Sequence, residues 1–89
     1  MNFLLKQSVI DQHITSFSYD EIQHKLILTL DSNSNIKLVM LYVNNQGLSL
    51  AGTIPFLTAE IVLLPGMVVE VFCYDEDKSM LCSLDYQWS

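Results

Sequence analysis

Residues 35–45 read NIKLVMLYVNN. With the two-residue period of a strand, one face carries Ile36, Leu38, Met40 and Tyr42, and the other Lys37, Val39, Leu41 and Val43. A strand at the surface of a layered protein buries one face and wets the other, so apolar residues on both ask for a second cover. The expectation is internal cover, from the 56–64 segment or from the N-terminal residues.

Upstream, Val9 to Tyr19 is rich in Ile, Thr, Phe and Val and reads as a strand ending near Tyr19. The polar DEIQHK (20–25) then turns, and LILTL (26–30) alternates, with Leu26, Leu28 and Leu30 on one face. DSNSN (31–35) has loop composition, because Asp, Asn and Ser hydrogen-bond locally and tolerate left-handed backbone. These three strands are predicted to form an antiparallel meander.

Downstream, NNQGLSLAGTIP (44–55) breaks the pattern, with room for a short extended piece at Leu48 and Leu50. PFLTAEIVLLPG (55–66) has two readings. Pro55 suits a first helical turn and Thr53 a cap, giving one short helix over 55–62. Ile and Val favour a strand near 59–64 instead, and the absence of a polar helical face tips the balance that way.

The final hairpin is the clearest. Met67, Val69, Val71 and Cys73 alternate on one arm; Met80, Cys82, Leu84, Tyr86 and Trp88 alternate on the other. A turn at DEDK (75–78) pairs Tyr74 with Ser79 and Cys73 with Met80, and both apolar series fall on one face. The other face, with Glu70, Phe72 and Tyr74, reads as partly solvated. The predicted fold is mainly β: a single antiparallel sheet of five or six strands, curled as a small barrel or sandwich.

Composition narrows the function. The 89 residues make one domain, 1–89, 51% apolar and 16% charged. Ten carboxylates face four lysines and no arginine, for a net charge of −6. Phosphate neutralisation needs Lys and Arg, so direct nucleic-acid binding is not expected, nor is attraction to anionic lipid. A basic protein partner fits the charge. The longest uncharged apolar stretch, Ile61 to Val69, contains Pro65 and Gly66 and is too short to span a bilayer. MNFLLKQS lacks the basic segment and cleavage site of a secretory signal, so a cytoplasmic location is expected.

Candidate chemistry is sparse. In the register above, Cys73 and Cys82 face the core diagonally, at roughly 7–8 Å, too far for a disulfide. Asp31, Asn33 and Asn35 match the start of a calcium loop, but Ile36 stands where its glycine belongs and Tyr42 where its glutamate belongs. His13 and His24 have no triad signature, and Gly47, Gly52 and Gly66 form no phosphate loop. Glu60 and Glu70 are the polar members of apolar strands. No enzyme, metal or cofactor is expected; an activity depending on Asp75 or His24 would reverse that. The candidate partner-binding residues are Asp75, Glu76 and Asp77 at the acidic turn, and Tyr86 and Trp88 as aromatic anchors.

ITSFSYDEIQHKLILTLDSNSNIKLVMLYV (14–43), with its I-x-x-F-x-Y-D start, and the following LSLAG (48–52) together resemble the small acidic immunity proteins encoded beside bacterial polymorphic and contact-dependent toxins. The resemblance spans residues 14–52 and lies in strand patterning, so it assigns no functional residue. It implies a sheet-rich, non-catalytic cytoplasmic protein that binds and blocks one toxin, here a basic domain. Two other readings stand beside it: a homo-oligomeric structural subunit, a homodimer for instance, that assembles through its own exposed strand and Trp88, and a phage-encoded acidic inhibitor of a host nucleic-acid-binding defence protein.

Overall fold

A computed structural model of the chain describes residues 3–5 and 13–89, the first segment by its backbone alone. The strands are β1 (Phe3–Leu5), β2 (Ile14–Asp20), β3 (Lys25–Leu30), β4 (Leu38–Val43), β5 (Gln46–Leu48), β6 (Ala51–Thr53), β7 (Phe56–Glu60), β8 (Val68–Tyr74) and β9 (Met80–Trp88). All pair antiparallel, in two sheets. One has the order β1-β9-β8-β4-β5 and the other β2-β3-β7-β6. No helix occurs among the described residues, and so none is long and apolar enough to cross a membrane.

The mainly β, antiparallel architecture agrees with the sequence pattern. The single sheet of five or six strands does not: there are two sheets, and neither closes into a barrel. The chain lays hairpins down alternately, β2–β3 in one sheet, β4–β5 in the other, β6–β7 back in the first and β8–β9 in the second. The predicted three-strand meander therefore breaks at 31–35, which crosses between sheets rather than closing a hairpin. The crossover is tied down locally. Asp31 donates its N–H to His13 O at 2.8 Å, and its carboxylate accepts from Asn33 N at 2.9 Å. Ser34 N donates to Asp31 O at 3.0 Å, and Ile36 plugs into the core. Residues 9–12, read as part of the first strand, lie outside the described residues.

Alternation decides which side chains meet between the sheets. Leu26, Leu28, Leu30, Leu57 and Ala59 point inward from one sheet, and Val39, Leu41, Val43, Val69, Val71 and Cys73 from the other. Leu63 and Trp88 complete one cluster, and no polar or charged side chain is buried among the described residues. An interior without buried charged, amide or hydroxyl side chains avoids most of the cost of desolvating polar groups, which favours the core of a domain of this size.

The 55–62 helix is not formed. Ile54 and Pro55 are the turn between β6 and β7, where Thr53 pairs with Phe56. Strand pairing with β3 over Phe56–Glu60 outweighs the helical start signal. The strand expected near 59–64 thus sits earlier, and 61–64 belongs to the crossover toward β8. Tyr19 fixes that crossover. Its hydroxyl donates to Ile61 O at 2.6 Å and accepts from Leu63 N at 3.2 Å, while its ring meets Trp88 edge-on at 5.2 Å.

The turns use compatible residues. Asn44 and Asn45 both have positive φ, 47° and 69°, the geometry of a tight two-residue hairpin. Asp20 caps the β2–β3 turn through Ile22 N and Gln23 N, with His24 left-handed at φ 55°. The β8–β9 turn repeats the device with Asp75 and Lys78.

In that last hairpin the face assignment holds from Val69 to Cys73 and from Cys82 to Trp88, the bulge turns Met80 to the outer face instead, and the register is two residues further on. Val69 pairs with Tyr86, Val71 with Leu84 and Cys73 with Cys82. A bulge then lets Tyr74 pair with Met80. A two-residue shift keeps every side chain on its own face, so alternation alone does not detect it. Cys73 and Cys82 are therefore directly opposed, not diagonal.

Two stability tests follow from this frame. Gly52 has φ 96°, and a Cβ there would meet Phe56 O at 2.6 Å. Gly52→Ala should cost about 2–3 kcal/mol in urea unfolding. Gly66→Ala, at φ 90° but with nothing within 4 Å, should cost about 1 kcal/mol. Equal losses at the two sites would contradict the clash at Gly52. Tyr19→Phe should cost about 1–3 kcal/mol by stranding Ile61 O and Leu63 N; an unchanged urea midpoint would show that this crossover does not depend on the hydroxyl.

Candidate functional site

The five residues singled out for partner binding are not one surface. Asp75 serves its own turn, its Oδ1 accepting from Asp77 N and Ser79 N, each at 2.9 Å. Glu76 and Asp77 are exposed at the tip. Tyr86 is half-buried on the inner face with its ring 4.7 Å from Phe17, and Trp88 is only 3% exposed, in the core. An aromatic at the end of an alternating strand reads equally as anchor or core from sequence; here the alternation places both inward.

The remaining chemistry-bearing residues are also engaged locally. His13 Nδ1 lies 2.8 Å from Ser34 Oγ, and His24 Nδ1 lies 3.3 Å from Tyr19 Oη. Among the described residues, no group of three His, Cys, Asp or Glu side chains is placed to hold a metal ion.

What distinguishes the molecule is the contrast between the outer faces of its sheets. The β2-β3-β7-β6 face is mostly small and polar, with Ser16, Ser18, Thr29 and Thr58, and a rung in which Lys25 stands between Asp20 and Glu60; Ile27 and Phe56 are its exposed apolar members, on different rungs. Charges alternate along that rung, so it is satisfied within the sheet.

The opposite face is built differently. Register aligns Leu38 with Tyr74 and Tyr74 with Met80; Met40 with Phe72; and Tyr42 with Glu70. Leu38, Met40 and Met80 are 45%, 38% and 55% exposed. Tyr42 and Phe72 meet edge-to-face at 5.7 Å, with interplanar angle 77°. Tyr42, Asn45, Glu70, Phe72 and Tyr74 line an open hollow of about 340 Å³.

This face answers the question raised by residues 35–45. Val39, Leu41 and Val43 are core, while Leu38 and Met40 stay exposed. The 56–64 segment covers the Val39, Leu41 and Val43 face from the other sheet, through Leu57, Ala59 and Leu63, and not the face of Leu38 and Met40. The backbone of β1 lies beside β9, beyond β8 from β4, and residues 6–12 lie outside the described residues.

Electrostatics sharpen the contrast. Glu70 pairs directly with Asp85 across β8 and β9, both half-buried on the outer face. Like charges directly opposed destabilise a sheet. Their rung continues to Tyr42 and Gly47, and none of these described members is a cation. Aromatic and thioether surface beside two carboxylates suits a partner with apolar and cationic groups together.

No protein-family model, no curated protein and no solved structure matches the chain.

If Glu70 and Asp85 repel, neutralising either removes the same unfavourable term. Glu70→Gln and Asp85→Asn should each raise stability by about 0.5 kcal/mol at low salt, and the double variant should gain no more than the better single. The gain should shrink in high salt. Additive or absent gains in urea unfolding would show that the pair does not interact.

Proposed function

We propose that the protein is a non-catalytic binding domain, an immunity protein that occludes a basic toxin domain in the bacterial cytoplasm. One observation carries this reading: the outer face of β9-β8-β4, where Leu38, Met40, Phe72, Tyr74 and Met80 extend to one side of the rung formed by Tyr42, Glu70 and Asp85. Exposed apolar surface of this kind is costly to keep unless it is used. The like-charged rung adds a second cost, which a lysine or arginine from a partner would offset. The net charge of −6 acts in the same direction at longer range, steering a basic partner toward the molecule.

A second copy of the chain is the competing occupant. The same apolar residues favour it, but stacking this face on itself brings two Glu70–Asp85 pairs together. Charge therefore supports a heterologous basic partner over a homodimer.

The test is a calorimetric titration against the toxin domain encoded by the neighbouring gene, at two salt concentrations. The expected result is nanomolar affinity that weakens with salt. Glu70→Lys should weaken it about a hundredfold and Phe72→Ala at least tenfold, while Glu76→Gln at the turn tip changes it less than threefold, by the usual contrast between centre and rim. No heat at tens of micromolar would remove this reading for that partner. Concentration-dependent dimers in light scattering would favour self-assembly instead.

A further inference from the structure

We infer that Cys73 and Cys82 are a disulfide-forming pair, oxidised by exchange with a small disulfide of the glutathione class. Register makes them direct cross-strand partners on the inner face of the β8–β9 hairpin. Directly opposed residues in an antiparallel pair have Cα atoms about 4.5–5.5 Å apart, inside the range a disulfide spans without moving the backbone. Both are thiols in this structure. The bulge begins only at the next rung, where Tyr74 pairs with Met80, so Cys73 and Cys82 form the last regular rung of the ladder.

Accessibility sets the order of events. Cys73 is 0% exposed, whereas Cys82 is partly exposed. The Cys82 thiolate attacks one sulfur of glutathione disulfide. The glutathione S–S bond breaks, a glutathione thiolate leaves, and Cys82 carries a mixed disulfide. Cys73 then loses its proton and attacks the Cys82 sulfur, expelling the second glutathione thiolate. Two cysteine thiols are oxidised by two electrons, one glutathione disulfide is reduced to two thiols, and the two cysteine protons end on the released thiolates.

The bond would close a ring around the acidic turn at 75–78 and fix the β8–β9 register. These strands supply Glu70, Phe72, Tyr74, Met80 and Asp85 to the apolar-acidic face. The inference stands on register and burial alone and does not depend on that face having a partner.

The experiment equilibrates the full chain with glutathione and glutathione disulfide, once under native conditions and once in urea, followed by acid quench and mass spectrometry. The intramolecular disulfide should form with an effective concentration at least about tenfold higher in the native than in the denatured chain, since native geometry that favours the bond must be stabilised by it. The oxidised protein should melt about 10 °C higher. Cys73→Ala should stop at a glutathione adduct on Cys82. Cys82→Ser should take up no glutathione while folded, and it tests the order of reaction even where the Cys73 variant fails to fold. A native-to-denatured ratio of one or less overturns the inference. So does a glutathione adduct that persists in the unaltered protein, or a disulfide-linked dimer.

Discussion

The antiparallel pairing of β4 with β8, from Leu38–Tyr74 to Val43–Val69, is the contact on which the rest depends. It joins the second hairpin to the fourth and forms the centre of the larger sheet. Inward it gathers Val39, Leu41, Val43, Val69, Val71 and Cys73 against the leucines of β3 and β7. Outward it brings Leu38 and Met40 beside Phe72 and Tyr74. A slip by one residue would exchange these sets, burying an acidic residue and exposing the valines, so the core energy that fixes the register also fixes the candidate surface. Core and site are two faces of one pairing.

Local alternation made much of this legible from sequence. The inward leucines of β3, the inward valines of β8 and the inward series of β9 follow from spacing alone, and so does the polarity of the turns. Alternation carries no information on which strand lies next to which. The 31–35 loop has the same composition whether it closes a hairpin or crosses between sheets, so β3 is favoured over β8 as the neighbour of β4 only by proximity in sequence. From spacing alone the outer face stays divided: Leu38, Met40 and Tyr42 are one of two apolar faces of β4, and Glu70, Phe72 and Tyr74 read as a partly solvated face of β8. Only the β4–β8 register unites them. Likewise, Trp88 and Tyr86 are strong anchor types by chemistry, but their positions in the β9 alternation turn them inward.

The two outer faces show how the same architecture can treat charge in opposite ways. On β2-β3-β7, Lys25 separates Asp20 from Glu60, and Ser18, Ile27 and Thr58 form the next outward-facing rung. On β9-β8-β4, two carboxylates stand side by side at one end of an apolar patch. Both sheets bury their inner faces on the same core, so core packing does not account for the difference. Solubility would be served as well by any arrangement of the same carboxylates. A sheet free to optimise its own stability would separate Glu70 from Asp85, as the opposite sheet separates its acids. Under the proposed binding role, that asymmetry is the one expected when binding and stability make opposing demands.

The β8–β9 hairpin is where these demands meet. Its inner face holds Val69, Val71 and Leu84 in the core, its outer face supplies most of the candidate surface, and its tip is closed by the Asp75 cap and the left-handed Lys78. The bulge between them is the one place where the ladder departs from regular pairing, and it separates the rigid cross-strand pair of Cys73 and Cys82 from Tyr74 and Met80. A bulged end is free to twist, and twist moves Tyr74 and Met80 relative to Leu38 while leaving the core valines in place. A covalent link at the last regular rung would confine that freedom to the turn. The geometry of the outer face is then set from inside the sandwich, by a pair of residues that no partner touching that face could reach.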